Sequence, residues 1–305
     1  PFASRLTHLT TFNGLLYDFQ ASGDFVLAQV DPDFSVQTRQ VSGAPTWPNA
    51  SVNSAVGTRM GKTSVAVCLV PPRFEIAPAA PAFLAVDGKT VDLGDGKSLS
   101  LPDGVGVRRK GNVYFITDKG GDSVRAEANP TWINVTVGLG RWPVEARGLL
   151  ANANGNVNEI ATRDGIALAN PFSFEDLYHR YADSWRVPSK ESLLRVCGDR
   201  EIESGIPTRI FYANDLDPAV YERTRAVCIV AGVKIGPLLD ACTLDVAVIG
   251  SDAAAQVFVG APAPIAVGNV TTSDNSWKWL WLVLALVIVA LIAFILWMFL
   301  IRKTP

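Results

Sequence analysis

The sequence has few of the residues that enzymes use for nucleophilic and metal chemistry. It contains four cysteines and only two histidines, His8 and His179. No Cys-x-x-Cys pair or Cys/His cluster occurs, so the spacing expected of a zinc site is missing. The Gly-x-Ser-x-Gly motif of serine hydrolases is missing as well. We therefore predict a protein that is not an enzyme. Hydrolysis by carboxylates alone is the open alternative, because Asp and Glu are plentiful.

Charge is low and almost balanced. The chain has 27 Lys and Arg residues against 29 Asp and Glu residues, a formal net charge of −2, and no basic block. Proteins that bind nucleic acid usually carry a basic patch or stripe, so we predict no nucleic-acid partner. The segment Gly57–Thr63, GTRMGKT, looks like a phosphate loop. However, Val56 stands where the first glycine is needed, and the surroundings predict strands.

The long apolar segment Trp279–Ile301 is the clearest single signal. It contains no charged or amide side chain, and at about 1.5 Å per residue a helix of this length would measure roughly 35 Å. The hydrocarbon core of a bilayer is about 30 Å thick. We therefore predict one transmembrane helix over residues 277–301, which places the chain in contact with membrane lipid.

The charges beside this segment set the expected orientation. Arg302 and Lys303 follow it, whereas Lys278 before it is offset by Asp274. Positive residues favour the cytoplasmic side, so we predict a single-pass protein with a cytoplasmic C-terminus and an extracytoplasmic body, in the periplasm or at the cell surface. The start at Pro1 fits removal of a signal peptide and equally a truncated chain. A tail-anchored protein with a cytosolic body is the alternative.

Most of the body has the pattern of an antiparallel β domain. Short runs rich in β-branched and aromatic residues alternate with Gly, Asp and Asn turns, as in Phe25–Val30, Ser64–Val70 and Trp132–Leu139. Such runs are typical of strands in a sandwich or a closed sheet. We predict a mainly β fold whose largest part is an antiparallel, β-sandwich-like domain over residues 1–187.

Three later segments predict helices, because their apolar residues recur every three to four positions. They are Phe174–Trp185, Asp217–Gly232 and Gly236–Gly250. Asp217 followed by Pro218 is a typical helix start, with a capping carboxylate before a proline in the first turn.

The four cysteines are compatible with two disulfides in an oxidising compartment. Cys228 and Cys242 flank the turn at residues 232–237 between two predicted helices, so we predict a bond between them. Cys68 and Cys197 are then left to pair with each other. A buried free thiol is the alternative for Cys68, which lies in the apolar run VAVCLV.

The composition divides the chain into five parts. The β domain of residues 1–187 precedes a helical, cysteine-containing module over residues 188–255. Residues 256–276 are rich in Ala, Pro, Gly, Ser and Thr and almost uncharged, which predicts an extended, semi-stiff stalk. The predicted transmembrane helix, residues 277–301, and a cytoplasmic tail, residues 302–305, complete the chain.

One Asn-rich loop holds the densest group of candidate metal ligands. A bend at Gly155 is surrounded by side-chain oxygens, those of Asn152, Asn154, Asn156, Asn158 and Glu159. A hard cation such as Ca²⁺ takes about six to eight oxygen ligands, so the loop is a candidate calcium site. A plain Asn/Gly-rich turn explains the same composition and is the alternative.

Three separated motifs give the chain a resemblance to a known family. HLTTFNGLLYDFQASGDFVLAQ, His8–Gln29, resembles the opening of a von Willebrand factor type D (VWD) domain. Gly148–Gly165 resembles the calcium loop of that domain, and Tyr181–Val187 resembles its closing strand. Cys228–Val248 is similar to the small helical cysteine module that follows the domain in many bacterial members. The resemblance implies a β-sandwich-like domain with a bound calcium ion.

The resemblance also implies a set of calcium ligands. In the family, the ion is held by the Asp of a TTFDG motif and by oxygens of the Asn-rich loop. The matching positions here are Asn13, Asn152, Asn154, Asn158, Glu159 and the backbone carbonyl of Ala153. Asn13 replaces a carboxylate, so the implied site is weaker than the usual one.

The family consists of binding and structural modules, so the resemblance implies an interaction role without catalysis. We predict a membrane-anchored, extracytoplasmic, calcium-binding module that mediates protein–protein contact or adhesion. The alternative is a structural or accessory subunit of a larger integral-membrane complex. In that case the helix packs against partner helices and the body caps the periplasmic face.

Overall fold

A computed structural model describes most of the chain outside a few gaps. The described residues are 2–3, 7–42, 49–70, 82–141, 143–152, 154–198, 205–272 and 283–292. Contacts between residues divide the chain into two units, Pro1–Val270 and Thr271–Pro305. The predicted ligand Ala153 and the predicted tail, residues 302–305, lie outside the described residues.

The described elements are mostly strands. In chain order the strands are β1 Phe2–Ala3, β2 His8–Thr10, β3 Leu15–Asp18, β4 Gly23–Val30, β5 Phe34–Ser42, β6 Ser51–Met60, β7 Thr63–Leu69, β8 Ala82–Val86, β9 Lys89–Val91, β10 Ser98–Ser100, β11 Gly106–Lys110, β12 Val113–Thr117, β13 Ser123–Ala128, β14 Ile133–Gly138, β15 Glu159–Ala161, β16 Ala167–Ala169, β17 Phe172–Ser173, β18 Ala266–Val267 and β19 Val270–Thr271. The α-helices are α1 Ala182–Trp185, α2 Pro218–Ala231 and α3 Pro237–Ile249. A π-helical segment, Asp176–Tyr181, runs directly into α1, and short 3-10 helices lie at Pro102–Gly104, Ser189–Glu191, Arg195–Cys197, Ala213–Asp215 and Asp252–Phe258. The protein is mainly β with several antiparallel sheets and few helices, which confirms the predicted fold class at this level.

The larger sheet has nine strands in the order β10–β11–β12–β13–β14–β1–β2–β3–β18. Its neighbours are antiparallel except β3 and β18, which are parallel. Strands β10 to β14 follow one another as hairpins, and a two-residue turn at Gly111 and Asn112 joins Lys110 to Val113. Gly111 has φ +60°, the left-handed backbone that such turns require.

The smaller sheet is a meander of six strands in the order β4–β5–β6–β7–β8–β9. Asp87 and Gly88 form the two-residue turn between β8 and β9, with φ of +47° and +74°. An Asp-Gly pair is among the strongest hairpin signals, because both positions need positive φ. Each strand of this sheet therefore pairs with its neighbour in sequence.

The two sheets contribute to one hydrophobic core. Its largest fully buried side chains include Tyr17, Phe19, Phe25, Phe34 and Phe172. In β13 alternate residues are buried, as expected for a strand with one face towards the core.

The outer face of the smaller sheet is covered by a later part of the chain. Strand β5 is buried at nearly every position, so both of its faces are covered. A separate small cluster places Leu194 against Ala55, Ala66 and Cys68. The segment before the gap at residue 199 therefore packs on the sheet.

Helices α2 and α3 form a pair joined by a tight turn. The Asp217 carboxylate accepts hydrogen bonds from the backbone N–H groups of Ala219 at 2.9 Å and Val220 at 3.3 Å, which is the helix start that the sequence predicts. Gly232 ends α2 with φ +97°, the left-handed conformation favoured at this position. The pair packs on the larger sheet, where Leu16 joins its hydrophobic cluster.

The structure contains the predicted disulfide of the helix pair and also a bond between the two remaining cysteines. Cys228 in α2 is bonded to Cys242 in α3, with Cα atoms 6.1 Å apart. Cys68 in β7 is bonded to Cys197, with Cα atoms 5.4 Å apart. None of the four cysteines is free, so the alternative of a buried thiol at Cys68 is wrong.

The segment predicted as a stalk, residues 256–276, is not an extended stalk as far as Val270, because it packs against the body there. It begins within the 3-10 helix Asp252–Phe258, where Ala254, Ala255 and Phe258 are buried in the cluster with α2 and α3. Strand β18 then pairs with β3, and the Gly268 N–H donates to the Leu16 carbonyl at 2.7 Å. The segment is folded onto the body because its apolar side chains find partners there.

The predicted transmembrane helix requires a correction. Within the described residues, no helix is long and apolar enough to cross a membrane. The structure describes residues 283–292 of the predicted span, and they are helical. The rest of the predicted span lies outside the described residues, and the single-pass anchor is not retained.

Candidate functional site

A cavity of about 590 Å³ lies where the β2–β3 hairpin meets the helix pair. Its walls come from β2 and β3, from residues 212–214, from α2 and α3, and from the segment that follows β18. This volume falls within the range of about 300–1,000 Å³ that is typical of small-molecule sites. The cavity therefore joins parts of the chain that are far apart in sequence.

A buried histidine between two carboxylates forms one wall. His8 Nδ1 contacts Asp18 Oδ1, and His8 Nε2 lies 3.2 Å from Asp245 Oδ1 on α3. Burial by itself lowers the pKa of His8, but the two carboxylates outweigh it and raise the pKa to about 10. His8 is therefore an imidazolium ion at neutral pH and cannot accept a proton as a general base.

Three carboxylates at or near the cavity differ in their exposure to solvent. The Asp18 side chain is 24% exposed, whereas that of Asp245 is fully buried behind His8. Asp240 on α3 is an exposed residue that lines the cavity. Burial of its carboxyl group raises its pKa, and Arg225 partly opposes this. Asp18 and Asp240 therefore bring negative charge to the cavity from two different elements.

Aromatic and apolar side chains complete the walls. Tyr17, Tyr212 and Tyr221 line the cavity together with Leu244. The Tyr212 hydroxyl donates to the Val270 carbonyl at 2.9 Å and accepts from the Val270 N–H at 3.2 Å. These bonds fix the Tyr212 ring against the segment that follows β18.

A glycine allows that segment to close the cavity. A Cβ atom added at Gly268 would lie 2.9 Å from the Tyr17 Cβ and 2.7 Å from Phe172 Cε2. Contacts this short require the neighbours to move, so the backbone approach depends on glycine at this position.

The Asn-rich loop is held together by its own hydrogen bonds. The Asn152 Oδ1 accepts from the Asn154 N–H at 3.3 Å, and the Asn154 Oδ1 accepts from the Asn156 N–H at 2.9 Å. The Asn156 Oδ1 accepts from the Asn158 N–H at 3.0 Å. Each amide thus bonds to the backbone two residues further on, the pattern of successive Asx turns.

The predicted calcium site is not found among the described residues. No group of three or more His, Cys, Asp or Glu side chains there could hold a metal ion. Glu159, the only carboxylate in the predicted ligand set, accepts hydrogen bonds from the side-chain amides of Asn152 and Asn154. Phe12 N–H donates to the Leu150 carbonyl at 2.8 Å, which brings the turn with Asn13 to the start of the loop. The alternative, an Asn/Gly-rich turn, describes the observed bonds.

The segments that resemble a VWD domain meet in the core. The Tyr17 hydroxyl donates to the Leu149 carbonyl at 2.6 Å and lies 3.1 Å from the Tyr181 hydroxyl. The Val187 N–H donates to the Asp24 carbonyl at 2.8 Å. The first motif therefore contacts both the Asn-rich loop and the segment Tyr181–Val187.

The cavity residues were not predicted from the sequence, although one signal exists. Asp245 interrupts the apolar run LDVAV in α3, and a carboxylate on the buried face of a helix needs a partner. Its partner, His8, is far away in sequence, so the pairing cannot be read from the pattern. His179 is exposed and lies 3.9 Å from Glu175, away from the cavity lining.

Comparison with known proteins adds no assignment, because no protein-family model and no curated protein matches this chain. The membership of the VWD family therefore stays a prediction.

Proposed function

We propose that the body of this protein is a non-catalytic binding module that works in an oxidising, extracytoplasmic compartment. The observation that supports it most directly is the cavity beside β2 and β3, whose size suits a ligand or a side chain of a partner. The module binds its ligand or protein partner there, between the larger sheet and the helix pair.

The state of the titratable groups supports binding without catalysis. His8 is the histidine in the cavity, and its two carboxylate partners hold its proton well above neutral pH. All four cysteines are in disulfides, so none offers a thiolate nucleophile. The histidine of the cavity and the four thiols are thus not free to serve as base or nucleophile.

The two disulfides support the proposal of an oxidising, extracytoplasmic compartment. Bonds of this kind persist in secreted, periplasmic and cell-surface proteins and are rare in the reducing cytosol. The bond between Cys68 and Cys197 also ties the segment on the outer face of the smaller sheet to β7.

We further propose that the β domain is a divergent VWD-type domain. The contacts of Tyr17 with Leu149 and Tyr181, and of Val187 with Asp24, support this by joining the motifs of the resemblance. Two sheets around a shared core agree with the sandwich-like fold that the resemblance implies.

A site-specific photocrosslink tests the binding role. A photoreactive side chain replaces Asn214, an exposed residue of the cavity, in the full chain produced in its natural cells. The matched control replaces Lys119, an exposed turn residue elsewhere. We expect a discrete adduct at position 214 only, and its loss when Asp240→Trp obstructs the cavity. Equal adducts at both positions, or none at 214, contradict the proposal.

A further inference from the structure

We infer that the cavity binds an organic cation, namely an ammonium or guanidinium group attached to an apolar body. This inference rests on the proposed binding function and adds the chemical class of the ligand. The cation belongs either to a free small amine or to a Lys or Arg side chain of a partner protein. Both sources present the same chemistry to the cavity.

The charges in and behind the walls favour a cation. Asp18, Asp240 and Asp245 contribute three carboxylates. Two cations oppose them, the imidazolium of His8 and the guanidinium of Arg225 near Asp240. Because His8 is flanked on both nitrogens by carboxylates, its positive charge is compensated and does not attract an anion. The field in the cavity is therefore negative, which concentrates cations.

Asp240 is the carboxylate best placed to respond to a ligand. Its pKa is raised because partial burial removes hydration from the charged carboxylate. A cation in the cavity would restore a favourable interaction for that charge. Asp18 lies on β3, while Asp240 lies on α3, so a cation between the two elements is attracted from both sides.

The remaining walls fit the rest of such a ligand. Tyr212 and Tyr221 present aromatic rings, and a cation within about 6 Å of a ring face gains a further electrostatic attraction. Leu16 and Leu244 supply apolar contact for an alkyl chain. A volume of about 590 Å³ is far larger than a bare ion needs, since a water molecule takes about 30 Å³ of liquid volume. Charge, rings and size together indicate an organic cation.

Calorimetric titration of the full chain with matched probes tests the inference. Agmatine and butylamine are the cationic probes, butanol is the neutral probe and butyrate the anionic one. An acetylated, amidated Gly-Arg-Gly peptide represents the side chain of a partner protein. We expect both amines to bind at least tenfold more tightly than butanol and butyrate. Tighter binding of the peptide than of agmatine assigns the ligand to a partner protein, and the reverse order assigns it to a free amine.

Variants locate the binding in the cavity. Asp240→Asn should weaken agmatine binding about tenfold, the effect of losing roughly 1.4 kcal/mol of attraction, and Asp240→Glu should restore most of it. Asp252→Asn, an exposed acid that is not in the cavity lining, serves as the control and should leave binding unchanged. Tyr221→Leu should weaken the amines more than it weakens butanol.

The possible outcomes distinguish failure of the organic-cation inference from failure of the proposed binding function. Equal binding of butyrate and butylamine, or an unchanged affinity in Asp240→Asn, overturns the organic cation but leaves the binding module intact. If no probe binds while the adduct at position 214 persists, the cavity takes a ligand of another class, and the inference is wrong. If the adduct is also absent, the proposed function fails with it.

Discussion

Two buried groups of charged side chains join distant parts of the chain. Arg39 in β5 donates to both carboxylate oxygens of Asp24, at 2.8 Å and 3.1 Å, and also to the Leu194 and Gly198 carbonyls. Ser192 donates to Asp24 at 2.7 Å. The second group is His8 with its two carboxylates. A charge in the interior is tolerated when it is paired and hydrogen-bonded, so both groups fix the positions of their segments.

We expect Arg39→Met to lower the free energy of unfolding by about 3–5 kcal/mol, because it leaves the Asp24 carboxylate buried without its counter-ion. Arg125→Met is the control. Arg125 and Glu127 also form an ion pair, at 3.0 Å, but both side chains are partly exposed, and such pairs contribute less than about 1 kcal/mol. Urea unfolding measures both changes. Similar losses for the two variants would contradict the role of burial.

The His8 group predicts a pH dependence of stability. The pKa of His8 rises from 6.5 to about 10 on folding, so the folded state holds the proton more tightly. Its stabilising contribution is complete below pH 6.5 and is lost as the pH rises towards 10, with a slope of at most about 1.4 kcal/mol per pH unit.

Urea unfolding of the wild type and of His8→Gln over this pH range measures the slope. We expect His8→Gln to flatten it, because glutamine has no proton to lose. His179→Gln, which changes an exposed histidine, should keep the wild-type slope. Identical slopes in the three proteins would mean that His8 does not retain its proton on folding.

The elements differ in how well local sequence determines them. The runs Phe25–Val30 and Ser64–Val70 become β4 and β7 almost as predicted, because β-branched residues, aromatics and Gly-containing turns act locally. The capping of α2 by Asp217 is equally local. Residues 256–267 are different. Their Ala and Pro content indicates a linker, whereas burial of Phe258 depends on packing against α2 and α3, which the pattern of this segment does not indicate. The cavity could not be predicted either, because its walls come from parts of the chain that are far apart in sequence.

The two disulfides should differ in their effect on stability. The bond between Cys68 and Cys197 spans 129 residues, and that between Cys228 and Cys242 spans 14. A longer closed loop removes more freedom from the unfolded chain. We expect Cys68→Ala with Cys197→Ala to cost about 5 kcal/mol, and the helix-pair equivalent about 3 kcal/mol.

Thermal or urea unfolding of the two double variants gives the comparison, with the oxidised wild type as the reference. Each double variant serves as the control for the other, since both remove two cysteines and leave one bond. A larger loss for the helix pair would contradict the loop-length argument.

For the whole molecule, contacts place the boundary between the two units at Val270 and Thr271. The first unit contains the described parts of both large sheets, the helix pair, the cavity and both disulfides. The mainly β class followed from the frequency of turns and β-branched runs along the chain. The arrangement of the sheets did not, because the order in which strands pair is determined by packing across the whole body.

The proposed compartment predicts the state of the thiols in the native protein. The full chain, isolated from its natural cells with an alkylating reagent present at lysis, should take up no label before reduction and four labels after reduction and unfolding. Mass spectrometry of the intact chain counts the labels. A chain that is alkylated before reduction would place the protein in a reducing compartment.

The bond between Cys68 and Cys197 also has a mechanical consequence. When the two ends of the body are pulled apart, tension passes through this covalent bond and bypasses the chain between the two cysteines. That bypassed chain spans 129 residues, which corresponds to roughly 450 Å of contour length at about 3.5 Å per residue. The oxidised body therefore has a fixed limit of extension, and reduction of this one bond would release the chain between the two cysteines under load.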